Sequence, residues 1–333
     1  MNLLAATDSL IYRLPIGDVV ADGVKWITRA WKAFFDFVKD LILACYSAVY
    51  DTLTEPEFWI VGIVYGLIIW ALTDWRIGIA GAVVIGALFA FVEIPAIIAT
   101  LVALALIALA ASGWVLSLVT AGGLALIYVM NQWDNAMSTL ALVIVASVIA
   151  LIFAIPLGIL AAKSKIASMV TRPVLDFMQT MPAFVYLIPA VVIFRTGATV
   201  GIIATVIFAM APGVRFTELG IRQVDKEVVE AGHAFGASPW RILRQIEMPL
   251  AMPTIMAGVN QVIMLALSMV VIAGMVGAGG LGKDVVAALA RVNVSLGFEA
   301  GLAVVIIAIY LDRVTSGLSN RSAVARANKV RSE

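Results

Sequence analysis

The sequence predicts an all-α polytopic membrane protein, and three features of its composition and pattern support this prediction. Hydrophobic residues make up 63% of the 333 residues, charged residues only 13%, and the mean hydropathy is +1.07, far from the composition of soluble domains. Apolar stretches recur whose lengths approach the roughly 20 residues that a helix needs to cross a bilayer. Clusters of charged residues, glycine and proline separate them, as in loops whose backbone meets water or headgroups.

The composition also excludes several kinds of function. The formal net charge is +1, so no excess of basic residues indicates nucleic-acid binding. Cys45 is the one cysteine and His233 the one histidine, which leaves no set of residues for an internal disulfide or a metal site. The sequence contains no nucleotide-binding loop and no Ser/His/Asp set. We therefore expect no catalytic residues, no cofactor and no metal.

Residues 19–45 predict an amphipathic helix ahead of the apolar stretches. Val20, Ile27 and Phe34 recur on one helical face, and charged residues of both signs recur on the other. Two interpretations stay open: the helix lies in the headgroup layer or braces a neighbouring subunit, or it packs on the chain's own membrane domain. We assign it to an N-terminal segment, residues 1–55.

Nine apolar stretches follow, and we count eight or nine membrane spans. They lie at roughly 58–73, 77–93, 95–112, 114–130, 137–162, 173–195, 199–219, 250–276 and 297–315. The first four are short for a span, so the count is open in that part of the chain. We divide the remaining chain into N-terminal transmembrane helices (56–130), a membrane core (131–316) and a basic tail (317–333).

Lysine and arginine residues predict the orientation of the spans. They concentrate in the loop 163–172, in the polar segment 215–244 and in the tail. These regions fall on one side of the membrane if the last four spans form two hairpins. The positive-inside rule makes that side cytoplasmic.

The polar segment 223–248 predicts two short helices joined by a tight turn. The first helix covers 226–235, and Gly236 suits the left-handed position that follows a helix. Ser238 is a favoured N-cap, and Pro239 is favoured at the first position of the second helix. This arrangement is far too polar at its start to cross a bilayer.

The second short helix is expected to run to about Glu247, and Pro249 to end it before the next span. On the first helix, Ala231 and Gly232 leave a low surface where another backbone can approach closely, with the charged Glu230 beside it. A structural connector and a docking site for a cytoplasmic partner both fit this pattern. A DNA-binding helix-turn-helix does not, because both ends run directly into spans.

A proline-interrupted span marks a candidate translocation path. Pro182 interrupts the span that carries Thr180, Phe184 and Tyr186, and broken helices often line the path of a transporter. Aromatic faces attract quaternary ammonium groups. A packing kink with core aromatics explains the same residues equally well.

A second candidate for the path is the span 250–276, which carries Asn260, Gln261 and Ser268. We place Asn260 and Ser268 on one face, where they either line a passage or hydrogen-bond a neighbouring helix. The stretch GMVGAGGLGKDV at 274–285 contains five glycines without the spacing of a phosphate-binding loop. We expect a tight bend there, at which an external partner protein approaches closely.

Several of these residues form a recognisable pattern. Glu230, Ala231 and Gly232, followed by Gly236, Ile246 and Pro249, resemble the EAA signature of permease subunits in binding-protein-dependent ATP-binding cassette importers, whose third position is usually alanine. Three stretches are similar to the glycine betaine/proline betaine branch of that family: LDFMQTMPAFVYLIP (175–189), FGASPW (235–240) and PLAMPTIMAGVNQVIMLALSMVVIAGMVGAGGLG (249–282). The resemblance covers about 131–316.

The resemblance implies a type I ABC importer permease fold with a five-helix core and extra N-terminal helices. In that family the EAA helix is a coupling helix that docks on the ATPase, so Glu230, Ala231, Gly232, Gly236 and Pro249 are the implied docking positions. The implied partners are an ATP-binding cassette ATPase, an extracytoplasmic substrate-binding protein or domain, a second permease copy and membrane lipid. The implied function is ATP-driven import of the small molecules glycine betaine or proline betaine across a bacterial inner membrane in osmoprotection.

The alternatives concern the substrate and the energy source. A related permease for choline, carnitine or an amino acid fits the same signature. An ion-coupled secondary transporter would place a charged relay residue in mid-span, whereas Asp312 and Arg313 lie close to the cytoplasmic end of their span. A membrane scaffold without transport is disfavoured by spans that are kinked and carry polar residues.

Overall fold

The computed structural model describes residues 16–56, 63 and 95–320. Within these ranges the chain forms α-helices and short helical turns, with no β-strand, which confirms the predicted all-α class. Two expected spans, 58–73 and 77–93, lie outside the described residues apart from residue 63, as does most of the basic tail.

Two helices replace the single amphipathic helix expected over 19–45. They are α1 (Ile16–Ala30) and α2 (Lys32–Thr54). The chain leaves helical geometry at Trp31, where φ is −112° and ψ is 26°. Because the apolar face continues across this break, the sequence pattern alone does not reveal it.

Helix α2 packs on the membrane core of the same chain. The Tyr46 and Ser138 hydroxyl oxygens lie 2.9 Å apart in a hydrogen bond, and the rings of Phe35 and Phe194 meet edge to face at 5.6 Å. Of the two interpretations, packing on the chain's own domain is therefore correct for α2. Helix α1 leaves large apolar side chains such as Trp26 exposed.

The other helices follow in chain order. They are α3 (Ala96–Ser112), α4 (Trp114–Val129), α5 (Trp133–Lys163), α6 (Lys165–Thr180), α7 (Ala183–Phe194), α8 (Ala198–Arg222), α9 (Lys226–Ala234), α10 (Pro239–Ile242), α11 (Met248–Ala273), α12 (Gly280–Arg291) and α13 (Val294–Asn320). In the described ranges, four helical segments are long and apolar enough to cross a membrane: α5, α8, Pro239–Val276 and α13, with the bent pair α6 and α7 as a fifth. These five correspond to the five predicted core spans.

Helix α8 lies at the centre of the core and packs along both α5 and α11. Glycines let the backbones approach: a Cβ on Gly158 of α5 would lie 2.5 Å from the Thr217 Cβ. A Cβ on Gly258 of α11 would lie 2.5 Å from the Phe216 Cβ. Since lipid tails are as apolar as leucine, close packing of this kind holds membrane helices together. The three helices therefore form one tightly packed unit.

The span expected over 173–195 is wrong as a single helix, because α6 and α7 meet at an angle of 98°. Pro182 causes the break, since it has no N–H to donate to the preceding turn and its ring would clash there. Met181 before it is extended, with ψ at 134°, as expected for a residue that precedes proline. Both helices pack against α8 and together form one broken span.

Two of the predicted basic regions come together at one end of the molecule, which we call the basic end. Lys163, at the end of α5, forms an ion pair with Glu247. Arg222, at the end of α8, donates a hydrogen bond to the Ala161 carbonyl at 2.9 Å. These contacts confirm that the loop at 163–172 and the polar segment lie on the same side.

The glycine-rich bend lies at the opposite end. The turn Gly274–Val276 and α12 form the bend expected over 274–285. The Leu281 N–H donates to Thr139 Oγ1 of α5 at 2.8 Å, and a Cβ on Gly280 would lie 2.5 Å from the same oxygen. The close neighbour of Gly280 within the chain is therefore α5. The approach of an external partner at this bend stays a prediction.

Candidate functional site

The turn between α9 and α10 shapes a short projection at the basic end. We call this projection, residues 226–242, the knob. The Ala237 N–H donates to the Gly232 carbonyl at 3.1 Å and the Gly236 N–H to the His233 carbonyl at 2.9 Å, which is the Schellman arrangement that closes a helix. Gly236 has φ at 75°, so its predicted left-handed position is confirmed.

Side chains cap the first turn of each knob helix. Asp225 accepts a hydrogen bond from the Glu227 N–H at 2.9 Å, and Ser238 accepts one from the Arg241 N–H at 3.4 Å. Pro239 occupies the first turn of α10, which confirms the predicted start of the second helix. Such caps satisfy backbone donors that the helix itself leaves unpaired. The knob therefore has a defined shape before any partner binds.

Gly232 faces the inside of the knob. It is buried, and a Cβ at this position would lie 2.8 Å from Ile246 Cδ1 and 3.4 Å from Ile242 Cγ1. The expectation that Gly232 belongs to a low outer surface is therefore wrong, because its small size serves the packing of α9 on the next segment. Ala231 and Glu230 are exposed, as expected for an outer surface.

Two aromatic side chains dominate the outer surface of the knob. Phe235 is 92% exposed and Trp240 is 68% exposed, although the surrounding segment is polar. Buried aromatics are typical anchors of protein interfaces, and exposed ones beside a rigid turn are candidates for that role. Neither residue is among the positions predicted from the sequence, although FGASPW places both beside the turn.

The connection from the knob to α11 is continuous. Residues Leu243–Glu247 form one π-helical turn between α10 and α11, and the Met248 N–H donates to the Leu243 carbonyl, five residues back. Pro249 therefore does not end a helix, contrary to expectation. A wider π turn changes the hydrogen-bond register just before the proline, so that its missing N–H is accommodated. Pro239–Val276 forms one helical segment.

Two buried carboxylates hold the helix ends together behind the knob. Glu247 is 6% exposed and pairs with Lys163. Glu218 is 5% exposed and accepts hydrogen bonds from Ser168 Oγ at 2.7 Å and Arg172 Nη2 at 3.1 Å. Arg222 Nε lies 3.0 Å from the same carboxylate oxygen. From the sequence these basic residues serve only as orientation signals, and their pairing with Glu218 and Glu247 is not predicted.

The candidate path residues of the broken span separate into two environments. Thr180, Pro182 and Phe184 are exposed at the bend. Tyr186 is buried, and its hydroxyl donates to the Met178 carbonyl. In a continuous helix that carbonyl would accept from the N–H of residue 182, which proline lacks. Tyr186 therefore replaces the missing donor and holds the bend.

We expect Tyr186→Phe to destabilise the fold by about 1 kcal/mol, because it leaves the partly buried Met178 carbonyl without its side-chain donor. The shift is measured as the thermal unfolding midpoint of the detergent-solubilised protein. Tyr128→Phe is the control, since Tyr128 is 53% exposed. Equal midpoints for the two variants would contradict the assigned role of the Tyr186 hydroxyl.

The polar residues of α11 lie on two different faces of the helix. Asn260 Nδ2 donates to Asp312 Oδ1 at 3.0 Å, and Thr315 Oγ1 donates to Asn260 Oδ1 at 2.7 Å, so Asn260 joins α11 to α13. Gln261 and Ser268 are exposed on another face. Placing Asn260 with Ser268 was wrong: at about 3.6 residues per turn, positions seven apart nearly coincide, whereas positions eight apart differ by about 80°.

Comparison with known proteins identifies relatives of this chain. Residues 154–321 match the family described as binding-protein-dependent transport system inner membrane component. The glycine betaine transport system permease protein of Bacillus subtilis is 39% identical over 310 residues, 92% of this chain and 95% of that protein. The glycine betaine/proline betaine transport system permease protein of Escherichia coli is 43% identical over 319 residues, 95% of this chain and 78% of that protein.

A third relative and two solved structures agree with this match. The glycine betaine/carnitine transport permease protein of Listeria monocytogenes is 53% identical over 209 residues, 63% of this chain and 74% of that protein. Two inward-facing structures of the methionine ABC transporter MetNI superpose with TM-scores of 0.52 and 0.53 at 21% and 20% identity. They cover 56% and 58% of this chain and 93% and 96% of theirs, which confirms the predicted type I importer permease fold. The chain belongs to the family of inner membrane components of binding-protein-dependent transport systems and is a permease subunit of an importer.

Proposed function

We propose that this permease imports glycine betaine or proline betaine with energy from ATP that a separate ATPase subunit hydrolyses. The observation that carries the proposal is the knob, a capped projection joined without a break to a membrane helix. A chain that moves solute uphill without a nucleotide-binding loop of its own needs such a contact with a partner. The names of the relatives support the substrate class, because each refers to transport of glycine betaine.

The outer surface of the knob is the proposed ATPase-docking site. Glu230 and Ala231 supply a charge and a small side chain, and Phe235 supplies a large apolar contact. Gly232 and Gly236 act indirectly, since the first permits close packing inside the knob and the second forms the turn. Pro249 lies behind the knob at the start of α11 and contributes to the shape of the connection. The positive-inside rule supports a cytoplasmic position for this end.

A second copy of the permease completes the proposed pathway. Gln261 and Ser268 are exposed on α11, and polar side chains within a span face other protein or an aqueous path in preference to lipid. Two copies that bring these faces together would enclose a polar passage. Thr180, Pro182 and Phe184 at the bend are further proposed contacts of the passage, and an extracytoplasmic binding protein delivers the solute to its outer end.

The N-terminal helices have a proposed supporting role around the core of residues 131–316. Ser112 Oγ of α3 donates to the Arg313 carbonyl of α13 at 3.1 Å. A Cβ on Gly317 would lie 2.2 Å from Ser112 Oγ, so α3 and α13 are in close contact. These contacts support the division into a scaffold at 56–130 and a transport core.

Uptake by reconstituted vesicles tests the proposal. We expect radiolabelled glycine betaine to accumulate only when ATP, the ATPase subunit and the substrate-binding protein are all present. Omitting any one of them should reduce uptake to that of empty vesicles. Uptake driven by an ion gradient without ATP would contradict the proposal and favour a secondary transporter. Unlabelled choline, carnitine and proline, added as competitors of labelled glycine betaine, rank the substrates.

A further inference from the structure

The ion pair between Lys163 and Glu247 joins two segments that are distant in the chain. Lys163 ends α5, and Glu247 ends the π turn that connects the knob to α11. The Lys163 Nζ donates to Glu247 Oε2. The Lys163 side chain is 41% exposed, whereas the Glu247 side chain is 7% exposed. The carboxylate is therefore the buried partner, and its position depends on the lysine.

A second buried carboxylate continues this connection. Ser168 and Arg172 of α6 and Arg222 of α8 all bond Glu218. Among the described residues, Glu218 and Glu247 are the only buried acidic side chains. The short turn between α5 and α6 is thus held on one side to the base of the knob and on the other side to α8.

Stability alone does not explain an ion pair with a buried carboxylate at this place. Apolar residues already pack nearby, since Ile221, Leu243, Ala251 and Ile255 form a buried cluster. Burial removes hydration from the Glu247 carboxylate, and replacing such a pair with apolar residues of similar volume is often neutral or stabilising. What an ion pair adds is a directional tie between two specific atoms.

We propose that the Lys163–Glu247 ion pair is the joint through which displacement of the knob moves the turn between α5 and α6. This inference rests on the proposed coupling to an ATPase and names a positioning residue for it. Because the knob continues into α11 without a break, a push on the knob tilts α11. The ion pair makes the end of α5 and the turn into α6 follow that tilt, and Glu218 ties this turn to α8. Without the pair, α5, α8 and α11 stay packed along their length, whereas the turn between α5 and α6 no longer follows the base of the knob.

The test uses the complete transporter in vesicles and measures the number of solute molecules imported per ATP hydrolysed. We expect Lys163→Met and Glu247→Gln each to lower this ratio about tenfold, because small displacements of a functional element, here the turn between α5 and α6, can have effects of this size. The exchanged pair, Lys163→Glu with Glu247→Lys, should recover most of the ratio. The matched control is Asp176→Asn, which removes an ion pair with Arg215 at the same end whose carboxylate side chain is 66% exposed.

An apolar double variant, Lys163→Met with Glu247→Met, separates the joint from a structural role. We expect its thermal unfolding midpoint to stay near that of the wild type, while its import ratio remains about tenfold low. The joint alone is wrong if this double variant imports as many solute molecules per ATP as the wild type, provided that wild-type vesicles show ATP-driven uptake. Wild-type vesicles without any ATP-driven uptake would overturn the proposed function and the joint together.

Discussion

Glu230→Lys is expected to reduce ATP-driven uptake more than about tenfold. It reverses the charge that the knob presents to the proposed ATPase subunit, and like charges facing each other across an interface cost several kcal/mol. Glu230 is exposed, and its side chain makes no hydrogen bond or ion pair within the described ranges, so its carboxylate is free to bind a partner. Exposed positions of this kind change the stability of a fold little. The variant should therefore reach the membrane in normal amounts. ATP hydrolysis by the ATPase should no longer respond to substrate-loaded binding protein.

Adding Phe235→Asp to Glu230→Lys should remove the remaining uptake, since it takes away the most exposed aromatic of the knob. Asp40→Lys is the control, because it reverses an exposed carboxylate on α2, away from the knob. Uptake and ATP hydrolysis are measured on the same vesicles. Normal uptake by the double variant would remove the docking role from this surface.

Gly232→Leu is expected to have an effect of similar size for a different reason. A Cβ at Gly232 would already lie 2.8 Å from Ile246 Cδ1, and the three further carbons of leucine have no space between α9 and the segment behind it. Overpacking commonly costs about 1 to 3 kcal/mol. We expect α9 to detach from that segment, because detachment relieves this strain. The knob then loses its shape, and we expect uptake to fall about tenfold or more while the membrane helices stay folded.

Gly232→Ala is the matched control for this prediction. One added Cβ displaces only the terminal methyl of the Ile246 side chain, and alanine is the usual residue at this place in the EAA signature. We expect normal uptake and a normal thermal midpoint. Limited proteolysis between 226 and 242 reports whether α9 has detached. Equal proteolysis and equal uptake in the alanine and leucine variants would contradict the packing role of Gly232.

Local rules predicted the elements of the knob well. Gly236, Ser238 and Pro239 act through their own backbone or through hydrogen bonds within three residues, so sequence is sufficient to place them. Pro182 likewise breaks its helix by a local effect. The 98° angle that follows depends on Tyr186 and on packing against α8, and no local pattern contains it.

Features that depend on tertiary contacts were predicted poorly. The small size of Gly232 is typical of a contact surface between proteins, and only the position of Ile246 shows that Gly232 faces inward. Asn260 and Ser268 differ by about 80° around α11 on helix geometry alone, but only the contacts with Asp312 and Thr315 show that Asn260 faces α13. The pairing of Glu247 with Lys163 spans 84 positions in the sequence, and a single sequence carries no signal for such a pair.

Cross-linking tests the central claim, that the knob is the site at which an ATPase subunit docks. Ala231→Cys places a thiol on the exposed surface of the knob, in a chain whose own Cys45 is first changed to serine. We predict that a short thiol-to-amine cross-linker joins this thiol to the ATPase subunit with a yield that changes with nucleotide, whereas Ser295→Cys at the opposite end gives no such product. A thiol at 231 that forms no ATPase cross-link, and that reacts with impermeant reagents from outside the cell, would contradict the account.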